Sequence, residues 1–233
     1  MSPFAVLPAP PAPTVGARHD PRASPRRLGD LLATPGPRPG LLVRPADVGG
    51  RAAWGVLVRD GALEVVRGDA AVVAGAVVTP ELRAALLVGS LPAGAVAAGR
   101  TAAWVHAGRA AGPRAADHLD VAYPAGGHRP ELWGAGLVWQ APLLRGDTVD
   151  LAGVRVTAPL RTVVDVAVHV PGDDDAVALA RALADACGLA LPDAAALLER
   201  RARVVGRPRA RRVLTRAAAL RGTALRAAPA ALP

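Results

Sequence analysis

The amino-acid sequence predicts an α+β protein in which an N-terminal winged helix-turn-helix is followed by a second domain made of a small sheet and helices. Three observations lead to this fold class. Residues 41–75 contain two short helical patterns and then a hairpin pattern, which is the order of elements in a winged helix. Short strand-like runs separated by Gly, Pro and Asp occupy residues 119–157. Helical periodicity then continues from residue 159 to residue 222.

The winged helix is predicted from local signals. The segment RPADVGG places Pro45 where proline favours the first turn of a helix, and RAAWGVLVRDG predicts a second helix that ends in a glycine cap at Gly61. The segment ALEVVRGDAAVVA alternates around Gly68 and Asp69, which are typical hairpin-turn residues. The same pattern also suits an unrelated α+β fragment, so the local pattern leaves both interpretations open.

The second domain is predicted to begin at Thr79, whose hydroxyl caps a helix with proline and an acid in its first turn. A helix over residues 95–108 is expected to bury Trp104. Four strands are predicted from short runs bounded by turn residues, at residues 119–124, 136–143, 147–153 and 154–157.

Helices are predicted after the sheet. Helical periodicity and capping signals indicate four of them, at residues 159–169, 173–188, 191–206 and 207–222. In the last helix, a stripe of Val213, Ala217 and Leu220 lies beside a stripe of arginines. Residues 223–233 are predicted to form a flexible tail.

Composition sets the remaining domain boundaries. Residues 1–40 form a Pro/Ala/Arg-rich arm that is predicted to be disordered, because its residues cannot build a packed core. A degenerate winged-helix domain over residues 41–78 and an α+β domain over residues 79–222 follow. The single cysteine, Cys187, excludes an internal disulfide and suits a reducing, cytoplasmic setting. No apolar run approaches the roughly 18 residues that a membrane span needs, so no membrane partner is expected.

The positive charge is concentrated near the C-terminal end. The net charge is +9, and all 28 basic residues are arginine. Residues 199–233 contain ten arginines and one acid, Glu199, whereas residues 44–78 contain four arginines and four acids. Because arginine pairs well with phosphate, the C-terminal segment predicts attraction to double-stranded DNA. A solvated helix face in an arginine-biased chain explains the same composition, and both interpretations stay open.

Arg161 and Asp165 are two polar residues inside the apolar helix that is predicted to start at Pro159. Their spacing of four residues places them on one helix face. An ion pair that holds the helix against the sheet, with Thr157 as the helix cap, is favoured over a catalytic pair. The reason is that no nucleophile or metal ligand lies nearby in sequence.

The sequence contains no residue set that predicts catalysis, a metal site or a cofactor. The five histidines are scattered without zinc-ligand spacing. The acids Asp173, Asp174 and Asp175 occupy a predicted helix start, where the helix dipole accounts for them. We therefore expect a protein that is not an enzyme.

A family resemblance rests on the winged-helix segment and on three motifs. The motifs are GRTAA from Gly99, DVAYP from Asp120, and VTAPLRTVVDVA from Val156. With these motifs the chain resembles, over residues 41–220, the actinobacterial relatives of AbiEi-type antitoxins, the DNA-binding halves of type IV toxin–antitoxin systems. Structural roles are expected for the following motif residues: Arg100, Trp104, Thr157, Arg161 and Asp165.

The resemblance implies a transcriptional autoregulator that binds promoter DNA and opposes a nucleotidyltransferase-like toxin. The arginines expected to contact DNA lie at the ends of the second winged-helix helix, on the wing and on the last helix: Arg51, Arg59, Arg67, Arg209, Arg212 and Arg216. The alternative is a non-enzymatic protein-interaction module whose winged helix has lost DNA binding. This alternative arises because the predicted recognition helix carries the small residues Ala52, Ala53 and Gly55, which offer few contacts to bases.

Overall fold

A computed structural model describes residues 42–113, 115–131 and 136–226 of the chain, with side chains described up to residue 220. All of these residues belong to one unit, Gly36–Pro233. The arm predicted over residues 1–40 lies outside the described residues. The last helix continues through Arg226, and residues 227–233 of the predicted tail also lie outside the described part.

The described residues form a mixed α+β structure with two small sheets, which confirms the predicted fold class at this level. The first sheet is a hairpin of strands β1 (Leu63–Arg67) and β2 (Ala70–Val73). A 3-10 helix (Pro45–Val48) and helix α1 (Arg51–Arg59) precede it. Gly61 has a φ of +74°, so the chain leaves α1 through the left-handed conformation that favours glycine.

The second sheet is mixed and has five strands: β3 (Val96–Ala97), β4 (Val121–Tyr123), β5 (Val138–Gln140), β6 (Thr148–Leu151) and β7 (Val154–Thr157). Their order in the sheet is β5-β4-β3-β7-β6. At the centre, β3 runs antiparallel to β4 and parallel to β7. At the edges, β5 runs parallel to β4, and β6 runs antiparallel to β7.

The central strand β3 corrects the predicted helix over residues 95–108. Helix α3 (Gly99–Ala107) begins only after β3, because Val96 and Ala97 pair with the neighbouring strands. A strand of two residues leaves no alternating pattern, so its apolar residues are indistinguishable from the start of a helix. Gly99 makes the turn between the two elements with a φ of +52°.

The remaining helices surround an apolar core that is built largely from Val, Leu and Ala. Val163, Leu183, Leu198 and Leu214 are fully buried in it. None of the described helices is both long enough and apolar enough to cross a membrane. The helices are α2 (Pro80–Ala85), α4 (Pro159–His169), α5 (Asp173–Ala186), α6 (Leu191–Arg200) and α7 (Arg207–Arg226).

Helix α6 ends at Arg200, six residues before the predicted end at residue 206. The backbone turns at Arg201, and Arg203 has a left-handed φ of +53°. Residues 201–206 therefore form a loop between α6 and α7. Within this loop the Arg201 side chain is largely buried, whereas Arg203 is exposed.

Candidate nucleic-acid interface

Three of the arginines predicted to contact DNA are exposed and can bind an external phosphate group. Arg51 and Arg59 occupy the first and last positions of α1, and Arg212 lies on α7. None of the three makes an ion pair with a described residue. Their guanidinium groups are therefore free to donate to phosphate oxygens, for which arginine geometry is well suited.

Arg216 is exposed but paired. Its Nη2 lies 2.5 Å from Oδ1 of Asp174, and both side chains are more than half exposed. Exposed ion pairs are worth about 0–1 kcal/mol, so this pair is easily exchanged for a phosphate contact. Arg211 forms a similar exposed pair with Glu199: its Nε lies 2.7 Å from Oε1 and its Nη2 lies 2.6 Å from Oε2.

Arg209 serves the fold. Its guanidinium donates to the carbonyl oxygens of Ala167, Val168 and Val170 at the end of α4, and its Nε lies 2.8 Å from Asp173 Oδ1. These bonds satisfy carbonyl groups that a helix end leaves without partners. The structure thus places Arg209 as a helix cap, and a phosphate contact would require these bonds to break.

Arg67 is also turned inward. It lies at the end of β1, next to the hairpin turn, with its guanidinium carbon 5.4 Å from the centre of the Trp104 ring. Burial lowers the pKa of Arg67, although the charge of Asp117 acts to raise it. The contact with Trp104, itself buried, ties the hairpin to α3.

Two further exposed arginines were not among the predicted contacts. Arg200 and Arg203 flank the end of α6 and have no ion pair with a described residue. Arg200 is the last residue of α6, and Arg203 lies in the loop that follows, which the predicted helix to residue 206 did not include. Together with Arg212 they are called the exposed C-terminal arginines below.

Arg161 and Asp165 form a buried ion pair, with Arg161 Nε 2.9 Å from Asp165 Oδ1. The arrangement extends further than the sequence indicated. Arg161 Nη1 also lies 3.0 Å from Oδ2 of Asp147, and Arg201 donates to both oxygens of Asp147. These four side chains, Asp147, Arg161, Asp165 and Arg201, are called the buried network below.

The two carboxyl groups of the buried network have opposite pKa shifts. Burial raises the pKa of Asp165 to about 6, and the charge and hydrogen bond of Arg161 oppose this only in part. Burial also acts to raise the pKa of Asp147. Hydrogen bonds from Arg201 and the Leu144 N–H, with the charges of both arginines, nevertheless bring it below its ordinary value.

Asp147 and Arg201 were missed by sequence reasoning, because they lie 14 and 40 residues from Arg161 and no local pattern joins them. Asp147 is in the turn before β6, where its Oδ2 also accepts from the Leu144 N–H at 2.8 Å. Arg201 follows the last residue of α6. The network therefore joins the sheet, α4 and the end of α6 through charges that meet only in the fold.

Thr157 does not cap α4, which corrects the prediction. The N-cap is Ala158, without a side-chain hydrogen bond. The Thr157 hydroxyl lies 2.7 Å from the Thr162 hydroxyl instead, and its carbonyl oxygen accepts from His106 Nε2 at 2.7 Å. Burial lowers the pKa of His106. Thr157 therefore links β7 to α3 and α4.

The GRTAA motif is explained by the buried Asp120. The Arg100 N–H donates to Asp120 Oδ2 at 2.9 Å, and the Asp120 N–H donates to the Thr101 hydroxyl at 2.7 Å. A Cβ at Gly99 would lie 2.8 Å from Asp120 Oδ2, so only glycine fits there without a shift. The motif fixes the turn from β3 into α3, which makes its role structural.

Comparisons with known proteins show a similarity to a solved structure. No family model matches the chain, and no curated protein matches it. Among solved structures, the RV2827C protein from Mycobacterium tuberculosis is similar with 19% identity and a TM-score of 0.40, over 79% of this chain and 75% of that chain. Within the described residues, no group of three or more His, Cys, Asp or Glu is placed to hold a metal ion.

Proposed function

We propose that this protein is a DNA-binding, antitoxin-like transcriptional autoregulator of a type IV toxin–antitoxin system. The observation that carries the proposal is the excess of arginine near the C-terminal end, with ten arginines against Glu199 in residues 199–233. Arg200, Arg203 and Arg212 are exposed and have no ion pair with a described residue. Contacts between arginine side chains and phosphates supply most of the sequence-independent affinity of a protein for duplex DNA.

The helix–hairpin unit, residues 42–78, is proposed to be a degenerate winged helix. Its order of 3-10 helix, α1 and hairpin supports this proposal. In this proposal α1 faces the duplex, and Arg51 and Arg59 at its two ends contact phosphates that set its register. Arg67 is left out of the interface because its guanidinium packs on Trp104.

This assignment gives the two regions different tasks. The exposed C-terminal arginines supply affinity for any duplex, whereas Arg51 and Arg59 position the helix that distinguishes one sequence from another. The protein has no catalytic task in this proposal. By the family resemblance, its functional counterpart is a nucleotidyltransferase-like toxin. An adjacent gene that encodes a nucleotidyltransferase-like protein would support this pairing of antitoxin and toxin.

The affinity part is tested with the triple variant R200Q/R203Q/R212Q. Fluorescence anisotropy on promoter duplex at several salt concentrations gives the slope of log affinity against log salt. Because each neutralised phosphate contributes about −0.9 to that slope, the variant is expected to flatten it by about 2–3 units. The matched control, R129Q/R145Q/R155Q, removes the same charge from exposed arginines elsewhere. Equal slopes for the two variants would contradict the assignment.

The recognition part is tested with R51Q/R59Q on promoter and scrambled duplexes. We expect preference for the promoter to disappear, with a smaller change in the salt slope than the C-terminal triple variant causes. A promoter preference that survives this change would show that α1 does not read the sequence.

A protein-interaction module is the second candidate, and the exposed valines of the helix–hairpin unit favour it. The helix–hairpin unit exposes Val56, Val65, Val73 and Val77, and its net charge is zero over residues 44–78. Exposed apolar side chains grouped on one unit are typical of contacts with another protein. If the intact protein shows no salt-dependent binding to duplex DNA, this function replaces the first.

A further inference from the structure

Two arginines of α7 converge on one carboxylate at the end of α6. Glu199 lies in the last turn of α6 and is the only acid in residues 199–233. Its Oε1 accepts from Arg211 Nε at 2.7 Å, and its Oε2 accepts from Arg211 Nη2 at 2.6 Å. Arg207 Nη1 lies 3.7 Å from the same Oε2. The Glu199 carboxylate is therefore shared by two guanidinium groups.

The two arginines are held in different ways. Arg207 Nη2 donates to the carbonyl oxygen of Arg201, so its guanidinium is fixed near the end of α6, and its side chain is 25% exposed. The Arg211 side chain is 56% exposed, and Glu199 is its only ion-pair partner among the described residues. One guanidinium is thus positioned in advance, whereas the other is open to solvent.

The same two groups suit a phosphate. Carboxylate and phosphate both present oxygen atoms that accept parallel hydrogen bonds from a guanidinium. Glu199 therefore shows where the oxygen atoms of an anion lie when Arg207 and Arg211 hold it. The Glu199 side chain is 44% exposed, and ion pairs of exposed side chains are weak, so an external anion can replace it.

Charge and position link this pair of arginines to the proposed DNA contacts. The hydrogen bond from Arg211 lowers the pKa of Glu199, and the same bond raises the pKa of Arg211, so both groups are charged at neutral pH. Arg200 and Arg212 are the immediate chain neighbours of Glu199 and Arg211, and both are exposed. An anion held by Arg207 and Arg211 would therefore lie beside the exposed C-terminal arginines.

We propose that Arg207 and Arg211 form a binding site for a backbone phosphate of duplex DNA, and that the Glu199 carboxylate occupies this site when DNA is absent. The proposal rests on the DNA-binding function proposed above and adds two arginines to its contacts. When DNA binds, phosphate oxygens accept the hydrogen bonds that Glu199 accepts in the free protein. Glu199 is thus an internal competitor that weakens binding to any duplex.

The first test compares E199Q with D193N by fluorescence anisotropy on promoter and scrambled duplexes at several salt concentrations. E199Q is expected to raise the affinity for both duplexes about three- to tenfold, since two exposed ion pairs no longer have to be exchanged. It is also expected to steepen the slope of log affinity against log salt by up to about two units. Because phosphate contacts carry no sequence information, the gain is the same on both duplexes.

D193N is the matched control for the change in net charge. Asp193 is an exposed acid in the first turn of the same helix, and it has no ion pair with a described residue. A smaller change in affinity and slope is expected for D193N than for E199Q. Equal changes in the two variants would overturn the proposal.

A second set of variants locates the gain. E199Q is introduced into R211Q and, as a control, into R155Q, which removes an exposed arginine of β7 without an ion pair to a described residue. The gain in log affinity caused by E199Q is expected to fall by about half or more in R211Q and to be retained in R155Q. Equal gains in the two backgrounds would overturn the proposal.

The outcomes separate this proposal from the DNA-binding function on which it rests. Salt-dependent duplex binding by the intact protein, without a larger gain in E199Q than in D193N, overturns the role of Glu199 and leaves the DNA-binding function in place. Absence of salt-dependent duplex binding in both the intact protein and E199Q overturns the two proposals together.

Discussion

The buried network and the exposed C-terminal arginines show one residue type in two opposite roles. Arg201 is only 10% exposed and binds Asp147, yet its neighbours Arg200 and Arg203 are exposed and have no ion pair with a described residue. The three residues lie within four positions of the chain. Burial and the presence of an acid, rather than sequence context, decide whether an arginine stabilises the fold or remains available to an external anion.

The largest effect is expected for Asp147→Ala, because this change leaves Arg161 and Arg201 without their shared acid. Removing one partner from a buried ion pair costs about 3–5 kcal/mol of unfolding free energy. Urea unfolding measures the loss.

The matched control for this change is Asp69→Ala, which removes an exposed acid paired with Arg44 at 3.1 Å. It is expected to cost at most about 1 kcal/mol. Similar losses for the two variants would remove the distinction between the buried network and surface pairs.

The neighbouring residues Arg201 and Arg200 provide a closer comparison. Arg201→Gln is expected to lower the unfolding free energy by about 2–3 kcal/mol, since hydrogen bonds to a buried charged group are lost. Arg200→Gln is expected to change it by less than about 0.5 kcal/mol. DNA binding should show the reverse order, with a flatter salt slope only for Arg200→Gln. A stability loss of equal size in both variants would contradict the separation of roles.

The pH dependence of stability tests the electrostatics of two groups on α4, Asp165 of the buried network and His169, whose pKa values are shifted by burial. The folded-state pKa of Asp165 is raised to about 6, so its contribution is full below its unfolded value and is lost as pH rises through 6. The folded-state pKa of His169 is lowered to about 4, so its contribution is present above pH 6.5 and is lost as pH falls. Between pH 4 and 6 these contributions oppose one another in the intact protein.

Single variants separate the two contributions. On acidification from pH 6 to 4.5, Asp165→Asn is expected to lose stability relative to the intact protein, by up to about 1.4 kcal/mol per pH unit. His169→Phe is expected to gain stability relative to the intact protein by a similar amount per pH unit, because the opposing His169 contribution is removed. Urea unfolding at several pH values measures the difference in slope between each variant and the intact protein. Differences of the same sign in both variants would show that one of the two pKa directions is wrong.

A small effect on stability is also expected at the exposed pair of Asp174 and Arg216. Asp174→Ala should change the unfolding free energy by less than about 1 kcal/mol. It should also release Arg216 for DNA and steepen the salt slope by up to about one unit. An unchanged slope would exclude Arg216 from the proposed interface.

Much of the secondary structure was predictable because its signals are local. The hairpin around Gly68 and Asp69, the helix from Pro159 to His169 and the strand Val154–Thr157 are all present where their turn residues, capping positions and β-branched alternation indicated. Strand β3 was not predictable, because two residues carry no periodicity and their pairing partners lie more than 20 residues away along the chain.

The sequence by itself determined the α+β class, the spacing that places Arg161 and Asp165 on one helix face, and the concentration of positive charge after residue 198. Only the tertiary structure decided which arginines are available. In the fold, Arg67 packs on Trp104 and Arg209 caps α4. Asp147 and Arg201 join the ion pair of Arg161 and Asp165. The physical reason is that burial and ion pairing depend on distances in space between residues far apart in the chain, whereas helix and strand signals depend on immediate neighbours.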